Sequence, residues 1–185
     1  ITRPDLPPYQ LQTLQFILSA YPQTEVVFIG KHEKWQLDEF ILPSFVSNPQ
    51  SGYLPQPVNN WLREKIWQGY DIVQGNPKKR IYISRARART RRVLNEAELL
   101  PILAKYGFEV VRPEEMTYQQ QVQLFFDAEA VVAPHGAGLT NVLFSERCKV
   151  LELHPANLIK THYFLLCKGL GFEYDAVVGS AGDRL

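Results

Sequence analysis

Residues 130–145 read AVVAPHGAGLTNVLFS, and this stretch decides the fold class. Its apolar opening, 130–133, predicts a buried strand, the turn that follows contains Gly136 and Gly138, and residues 139–145 form a predicted helix. A strand that passes through a glycine turn into a helix is the repeating unit of a doubly wound α/β domain, in which ligands bind beyond the carboxyl ends of the strands. The turn is therefore a candidate ligand site.

The same alternation of strands and helices extends to both sides of this stretch. A helix that Asn95 caps ends near Gly107, and a helix that Thr117 caps runs to about residue 127. Nearly continuous apolar strands indicate a parallel sheet that is covered on both faces. The predicted fold class is therefore α/β, with a Rossmann-like parallel sheet and helices on both faces. The remaining strands are predicted over 81–84, 108–111, 150–153 and 172–178, and a further helix over 160–168.

The N-terminal part of the chain is less regular. Helices are predicted over 10–21 and 58–67, and strands over 25–29 and 36–42. Residues 43–57 hold four prolines, a glycine and several polar residues, which is the composition of a linker. We therefore predict two parts: residues 1–55 as the remnant of an N-terminal domain with its linker, and residues 56–185 as the Rossmann-like domain.

The composition, with 45% hydrophobic and 21% charged residues, is ordinary for a globular protein. No apolar run approaches the roughly 20 residues of a membrane helix, and no signal-peptide pattern opens the chain. This predicts a cytoplasmic location, with any membrane association left to regions outside this chain. Cys148 and Cys167 lie in apolar surroundings and are expected to be free, buried thiols.

The net charge of +1 conceals a strongly basic run over residues 78–92, which contains no acidic residue. The 12 other Lys and Arg residues face 19 Asp and Glu residues. One positive region on an acidic body favours a compact anionic ligand over a broad nucleic-acid surface. The basic residues of the run are Lys78, Lys79, Arg80, Arg85, Arg87, Arg89, Arg91 and Arg92.

The glycine turn predicts a diphosphate site. The amides at the start of the helix near Ala137 have no partner within the helix and carry a partial positive charge, which suits a diphosphate. His135, just past the strand, can donate to a phosphate oxygen or to a leaving oxygen. The alternative is that G-x-G only makes a tight connection. The G-x-G-x-x-G, Walker and G-x-S-x-G patterns are absent.

The basic run adds arginines to this edge, because Ser84 and Arg85 end a predicted strand. Arginine offers a planar set of donors for phosphate oxygens, so Arg85, Arg89 and Arg92 are expected to converge on the diphosphate. Arg87 and Arg91 are expected to face solvent. The alternative is that the whole run forms a solvated surface.

Glu152 interrupts the apolar strand 150–153. An unpaired buried carboxylate is costly, so this residue needs a partner. Two interpretations remain open at this stage: Glu152 binds ribose hydroxyls, or it pairs with a nearby arginine.

Taken in order, these residues resemble the motif series of glycosyltransferase family 61, which includes capsular-polysaccharide enzymes and xylosyl- and N-acetylglucosaminyltransferases. The resemblance spans about residues 80–155, and Leu42-Pro43-Ser44 is similar to the family's segment before the donor domain. The matching segments are Arg80–Arg85, Arg92–Glu96, Gly107–Glu109, the helix of Gln121 ending at Ala128, Pro134–Asn141 and Val150–Leu153.

The resemblance implies the C-terminal half of a two-domain GT-B glycosyltransferase in polysaccharide biosynthesis. Such an enzyme transfers a sugar from a nucleotide-diphosphate donor to a glycan hydroxyl with inversion, without a cofactor or a metal at the diphosphate. The implied donor contacts are Ser84, Arg85 and residues 135–138, with Thr140 and Asn141 from the same motif, and Glu152 near the nucleoside.

One part of the family pattern, an Asn-x-x-His-Trp-like stretch of the N-terminal region, has no counterpart here. We therefore expect the acceptor domain to be truncated, and the catalytic base stays unassigned. Two other functions remain open: a non-catalytic nucleotide-binding module that only binds donor, and nucleic-acid binding through residues 78–92, which the near absence of interleaved aromatics disfavours.

Overall fold

The structure is a computed structural model that describes residues 2, 4–41, 54–73 and 75–180. Within these ranges the strands are β1 (Lys79–Ile83), β2 (Phe108–Val111), β3 (Ala128–Pro134), β4 (Lys149–Pro155) and β5 (Glu173–Gly179). The α-helices are α1 (Pro8–Leu18), α2 (Gln56–Gly69), α3 (Glu96–Lys105), α4 (Tyr118–Phe126) and α5 (His162–Leu170). Residues Pro113–Glu115 and Ala137–Phe144 form 3-10 helices.

The five strands form one parallel sheet in the order β2-β1-β3-β4-β5. The α/β class and the parallel sheet are therefore confirmed. The chain reverses its direction of winding between β1 and β3, which are neighbours in the sheet although α3, β2 and α4 separate them in the chain. In doubly wound sheets the ligand crevice lies at such a switch point, beyond the carboxyl ends of the two strands.

Two apolar clusters lie on opposite faces of the sheet, because side chains alternate along each strand. Ile81 and Ile83 belong to the larger cluster, which also receives apolar residues of α2, α4 and α5. Tyr82, between them, packs with Leu103 of α3 and with Val132 in the smaller cluster. Helices therefore cover both faces, as predicted. Cys148 and Cys167 are buried and free, also as predicted.

The N-terminal segment packs through α1, whose Phe16 ring lies 4.7 Å from the ring of Tyr70. The strands predicted over 25–29 and 36–41 are wrong. Thr2 and Phe28 make one isolated bridge, and residues 36–41 are exposed, contain a bend at Asp38 and form no strand. A segment with high β-propensity forms a strand only where a neighbouring strand offers backbone groups for hydrogen bonding. Leu42 and most of the predicted linker lie outside the described residues, and the division at 55/56 stays a prediction.

Two local predictions are also corrected. The helix predicted over 139–145 begins at Ala137 and is a 3-10 helix, with Leu139 N donating to Gly136 O at 3.0 Å. Asn95 occupies the N-cap position of α3, but its side chain accepts no capping hydrogen bond. Thr117, in contrast, caps α4 in a complete capping box with Gln120. No helix in the described part of the chain is long and apolar enough to cross a membrane.

Candidate functional site

The switch point brings Arg85, just after β1, against Gly136, just after β3. A Cβ atom at position 136 would lie 2.2 Å from Nη1 and 2.9 Å from Cζ of Arg85. The backbone of Gly136 is extended, with φ 171°, so glycine is needed here for space and not for conformation. The guanidinium therefore rests directly on the glycine turn, as the prediction of a joint site requires.

The guanidinium of Arg85 makes few hydrogen bonds to described protein groups. Its Nη2 donates to Thr90 O at 3.3 Å, its Nε is enclosed without a partner, and it forms no ion pair with a described carboxylate. Burial lowers the pKa of Arg85, and the positive charge of Arg91 lowers it further. The negative charge of Glu114 raises that pKa, but the two side chains form no ion pair. Arginine stays charged despite such shifts, so this side chain presents a positive charge to the cleft.

Arg91 is close enough to act on the site electrostatically, and the prediction that it faces solvent is wrong. Its backbone is left-handed, with φ 58°, and its side chain is half-buried. Its charge acts on both Arg85 and Tyr163, and it makes no hydrogen bond or ion pair with a described residue. A left-handed non-glycine residue is costly and requires support from its surroundings.

The other arginines of the run do not join this pair. Arg89 and Arg92 are exposed and make no hydrogen bond or ion pair within the described ranges, so the expected convergence of Arg85, Arg89 and Arg92 is not observed. Arg87 is 70% exposed and pairs with Glu115, which agrees with its predicted place in solvent. Loop geometry decides this outcome, since all five arginines of 85–92 have the same chemistry.

A cleft of about 470 Å³ opens at this edge of the sheet. Its walls come from the loops after β1 and β2, from α4, and from the start of the 3-10 helix. The lining residues are Ile83, Ser84, Arg85, Arg87, Ala88, Pro113, Glu114, Gln121, Ala137, Gly138 and Asn141.

A larger cleft, of about 600 Å³, lies at the opposite edge of the sheet, near the amino ends of the strands. There Arg80 pairs with Glu129 at 2.7 Å and Lys149 with Glu173 at 3.1 Å, so these charges are already balanced. The smaller cleft is the better candidate site, because it lies at the switch point, beyond the carboxyl ends of β1 and β3, where Arg85 contacts the glycine turn.

The backbone amides of the glycine turn are further donors beside this cleft, which Ala137 and Gly138 line. His135 N donates to Leu153 O, and Leu139 N donates to Gly136 O. The three amides between them, those of Gly136, Ala137 and Gly138, donate to no backbone carbonyl in the described chain. A Cβ at Gly138 would lie 3.3 Å from Cγ2 of Ile83, so this glycine also allows close packing on β1.

Three predicted donor contacts also make hydrogen bonds within the protein, and their contact with a donor stays a prediction. Ser84 is 1% exposed and its hydroxyl donates to Glu96 Oε1 at 2.9 Å. Asn141 donates to Gln121 Oε1 at 2.8 Å, and Gln121 in turn donates to Pro113 O at 2.9 Å. The Thr140 side chain hydrogen-bonds with that of Tyr163, whose pKa burial raises. These side chains fix the loops around the cleft.

Glu152 lies in a buried network that neither interpretation of the sequence contains. It is 0% exposed, its Oε1 lies 2.5 Å from His135 Nδ1, and Tyr174 donates to its Oε2 at 2.7 Å. His154 Nε2 lies 3.4 Å from Oε2. The partners are therefore two histidines and a tyrosine, and no arginine among the described residues pairs with Glu152. Both oxygens are engaged within the protein, which leaves a ribose no open carboxylate.

One sequence signal points to this network. Glu152 and His154 are two apart in a strand and so share a face, and Leu153 pairs with Pro134, the residue before His135. The contribution of Tyr174 from β5 carries no such signal, because it depends on the order of the strands.

The ligand atoms of His135, Glu152 and His154 lie within 4.8 Å of one another, which makes them a possible metal-ligand group. Two ligands of a tetrahedral Zn²⁺, each about 2.0 Å from the ion, lie about 3.3 Å apart. His135 Nδ1 and Glu152 Oε1 are 2.5 Å apart, which is a direct hydrogen-bond distance. The group is therefore better described as a hydrogen-bond network, and the absence of a metal stays a prediction.

The fold and the cleft define a doubly wound α/β domain with a candidate anion site at its switch point. Comparison with known proteins agrees with the sequence resemblance: the Glycosyltransferase 61 family profile matches residues 6–151. The chain belongs to the glycosyltransferase 61 family. It is similar to human protein O-linked-mannose beta-1,4-N-acetylglucosaminyltransferase 2, with 39% identity over 101 residues that cover 49% of this chain. The chain matches only 17% of the length of that relative.

Proposed function

We propose that this chain forms the donor-binding part of a glycosyltransferase that moves a sugar from a nucleotide-diphosphate donor to a glycan hydroxyl. One observation carries the proposal: at the switch point of the sheet the Arg85 guanidinium, near the charge of Arg91, contacts Gly136, and the amides of residues 136–138 donate to no backbone carbonyl in the described chain. Guanidinium groups and main-chain amides at a helix start are the donors that bind phosphate oxygens.

In the reaction, the acceptor hydroxyl oxygen forms a bond to the anomeric carbon while the bond from that carbon to the diphosphate oxygen breaks. The proton of the hydroxyl passes to a base, and the leaving diphosphate gains negative charge. Arg85, Arg91 and the amides of 136–138 stabilise that charge where it develops. Attack from the opposite face gives inversion. We assign no catalytic base within this chain.

Family membership supports a sugar donor and a glycan acceptor in general terms. The GT-B arrangement, with this chain as its C-terminal half, a role in polysaccharide biosynthesis and a cytoplasmic location are part of the proposal. The charge at the switch point suits a donor that needs no metal at its diphosphate, because protein groups supply the neutralising charge.

Nucleic-acid binding through residues 78–92 is less well supported. Lys79 pairs with Asp127, Arg80 with Glu129 and Arg87 with Glu115, so acidic neighbours balance three of the eight basic residues of the run. A non-catalytic module that only binds nucleotide fits the same cleft. Transfer or hydrolysis of a donor sugar by a longer protein that contains this chain distinguishes the two functions.

Calorimetric titration of this chain with ADP, CDP, GDP and UDP tests the site itself. We expect one of them to bind, and Arg85→Ala to weaken it at least about tenfold, since hydrogen bonds to charged groups contribute about 1.5–3 kcal/mol. Arg80→Ala is the matched control, because Arg80 lies near the amino end of β1, whereas Arg85 follows its carboxyl end, and Arg80 pairs with Glu129. Absence of binding to all four, or equal losses in both variants, contradicts the proposal.

A further inference from the structure

The carboxylate of Glu152 is buried in a strand whose neighbouring residues are apolar. Its neighbours in β4, Val150, Leu151 and Leu153, are apolar, and Glu152 itself is 0% exposed. A buried carboxylate loses its hydration and must be compensated by hydrogen bonds. No lysine or arginine among the described residues forms an ion pair with it. Its presence therefore calls for a role that an apolar side chain cannot perform.

The nearest partner of that carboxylate is His135, which begins the glycine turn. The His135 ring stacks on the His154 ring at 5.4 Å and 25°, and the ring of Tyr163 lies 5.4 Å away on a tilt of 55°. Packing thus sets the plane of the imidazole, and the hydrogen bond from Nδ1 to Glu152 sets its rotation. The second nitrogen, Nε2, bonds to no residue in the described ranges, and the next residue in the chain is Gly136, on which Arg85 rests.

We propose that Glu152 is a positioning residue: it holds the His135 ring with Nδ1–H toward the carboxylate, so that Nε2 is left for the diphosphate of the donor. This inference rests on the proposed function, because it names the group that places a histidine at that same site.

The chemistry follows from the two ring nitrogens. A carboxylate that accepts from Nδ1–H selects that tautomer and leaves Nε2 as the reactive nitrogen. When Nε2 also carries a proton, its N–H can donate to a phosphate oxygen, and Glu152 balances the charge of the ring. Tyr174 supports the arrangement from β5, because its hydroxyl donates to Oε2 and leaves Oε1 to His135.

A Glu152→Gln substitution tests the role with little change in volume. The glutamine amide has a single oxygen, and the Tyr174 hydroxyl and His135 Nδ1–H must compete for it. Its NH2 group replaces the second carboxylate oxygen and so cannot accept a hydrogen bond from either of them. With the diphosphate that binds most tightly among ADP, CDP, GDP and UDP, we expect Glu152→Gln to weaken binding about tenfold or more. Glu129→Gln, which removes a carboxylate at the opposite edge, is the matched control and is expected to bind as the wild type.

A double-mutant cycle separates positioning from general structural damage. If Glu152 acts through His135, the variant His135→Ala combined with Glu152→Gln binds no more weakly than His135→Ala alone. Losses that add in the double variant overturn the proposal. Thermal melting monitors folding throughout, and Glu152→Asp, which keeps the charge, replaces the amide in the cycle if Glu152→Gln does not fold.

Long-range ¹H–¹⁵N NMR spectra of the unliganded chain with labelled histidines provide a readout that needs no nucleotide. We expect Nδ1 of His135 to carry a proton in the wild type and this signature to change in Glu152→Gln or its replacement. An unprotonated Nδ1, or a signature that Glu152 substitutions leave unchanged, overturns the positioning role. Failure of every nucleotide to bind contradicts the proposed function instead, and the spectra still decide whether Glu152 orients the ring.

Discussion

The contact between Gly136 and Arg85 predicts that Gly136→Ala impairs ligand binding more than folding. The new Cβ would lie 2.2 Å from Nη1 and 3.3 Å from Nε of Arg85, so the guanidinium must move. A relaxed contact between carbon and nitrogen needs about 3.5 Å, which implies a shift of more than about 1 Å. A shift of this size breaks charge-assisted hydrogen bonds to a diphosphate, whose geometry is strict.

The expected loss follows from those hydrogen bonds. If the displaced guanidinium forfeits one or two of them, binding weakens by about 1.5–3 kcal/mol, which is a factor of about 10 to 150 in the dissociation constant. Stability should change little, because the backbone at Gly136 is extended and the clashing atoms lie at the end of a long side chain. Calorimetric titration with nucleoside diphosphates measures the first quantity and urea denaturation the second.

Gly107→Ala is the matched control for Gly136→Ala. Gly107 has φ 75°, and a Cβ atom there would meet only open space, so alanine at this position is strained by about 1–2 kcal/mol without touching the site. We expect this control to lose stability and keep its affinity, the reverse of Gly136→Ala. Wild-type affinity in Gly136→Ala, or losses that add in full when Arg85→Ala is combined with it, would refute the reasoning.

Two further predictions concern the arginine run and the caps. Arg91→Ala should weaken diphosphate binding by about tenfold, the effect of losing one charged interaction. Arg89→Ala and Arg92→Ala should each change the affinity less than about threefold, because both side chains are exposed. Calorimetric titration of the three variants checks this, and equal losses of affinity would support the convergence of arginines predicted from sequence. Thr117→Ala should lower the free energy of unfolding by about 1 kcal/mol, because it removes the capping box of α4. The Asn95 side chain makes no capping hydrogen bond, so Asn95→Ala should lower it by less than about 0.5 kcal/mol. Urea denaturation measures both values, and a larger loss for Asn95→Ala would contradict the assigned caps.

Much of the fold was predictable because its signals are local. Apolar runs such as 81–83 and 130–133 mark strands that are largely buried on both faces, and Thr117 with Gln120 marks the start of α4. The failures also have a local cause. Residues 25–29 and 36–41 have the composition of strands, but a strand forms only when another strand pairs with it. The sequence of the segment itself does not show whether such a partner is present.

The candidate site was predicted in part. The approach of Arg85 to the 136–138 turn follows from the position of each at the carboxyl end of a parallel strand, and the structure places them in contact. The choice among the arginines of 85–92 was not predictable, because backbone conformation in a loop is set by contacts at a distance. Arg91 is half-buried with a left-handed backbone, while Arg89 and Arg92 are exposed.

The sequence by itself determined the α/β class, the parallel sheet and the position of the glycine turn, since each depends on residues that are adjacent or on one repeating pattern. Only the tertiary structure decided which partners Glu152 acquired. Its carboxylate meets His135, which follows β3, and Tyr174 of β5 because β4 lies between those strands. Strand order is a long-range property of the folded chain, and it brought His135 and Tyr174 to Glu152, which the local sequence pattern connects only with His154.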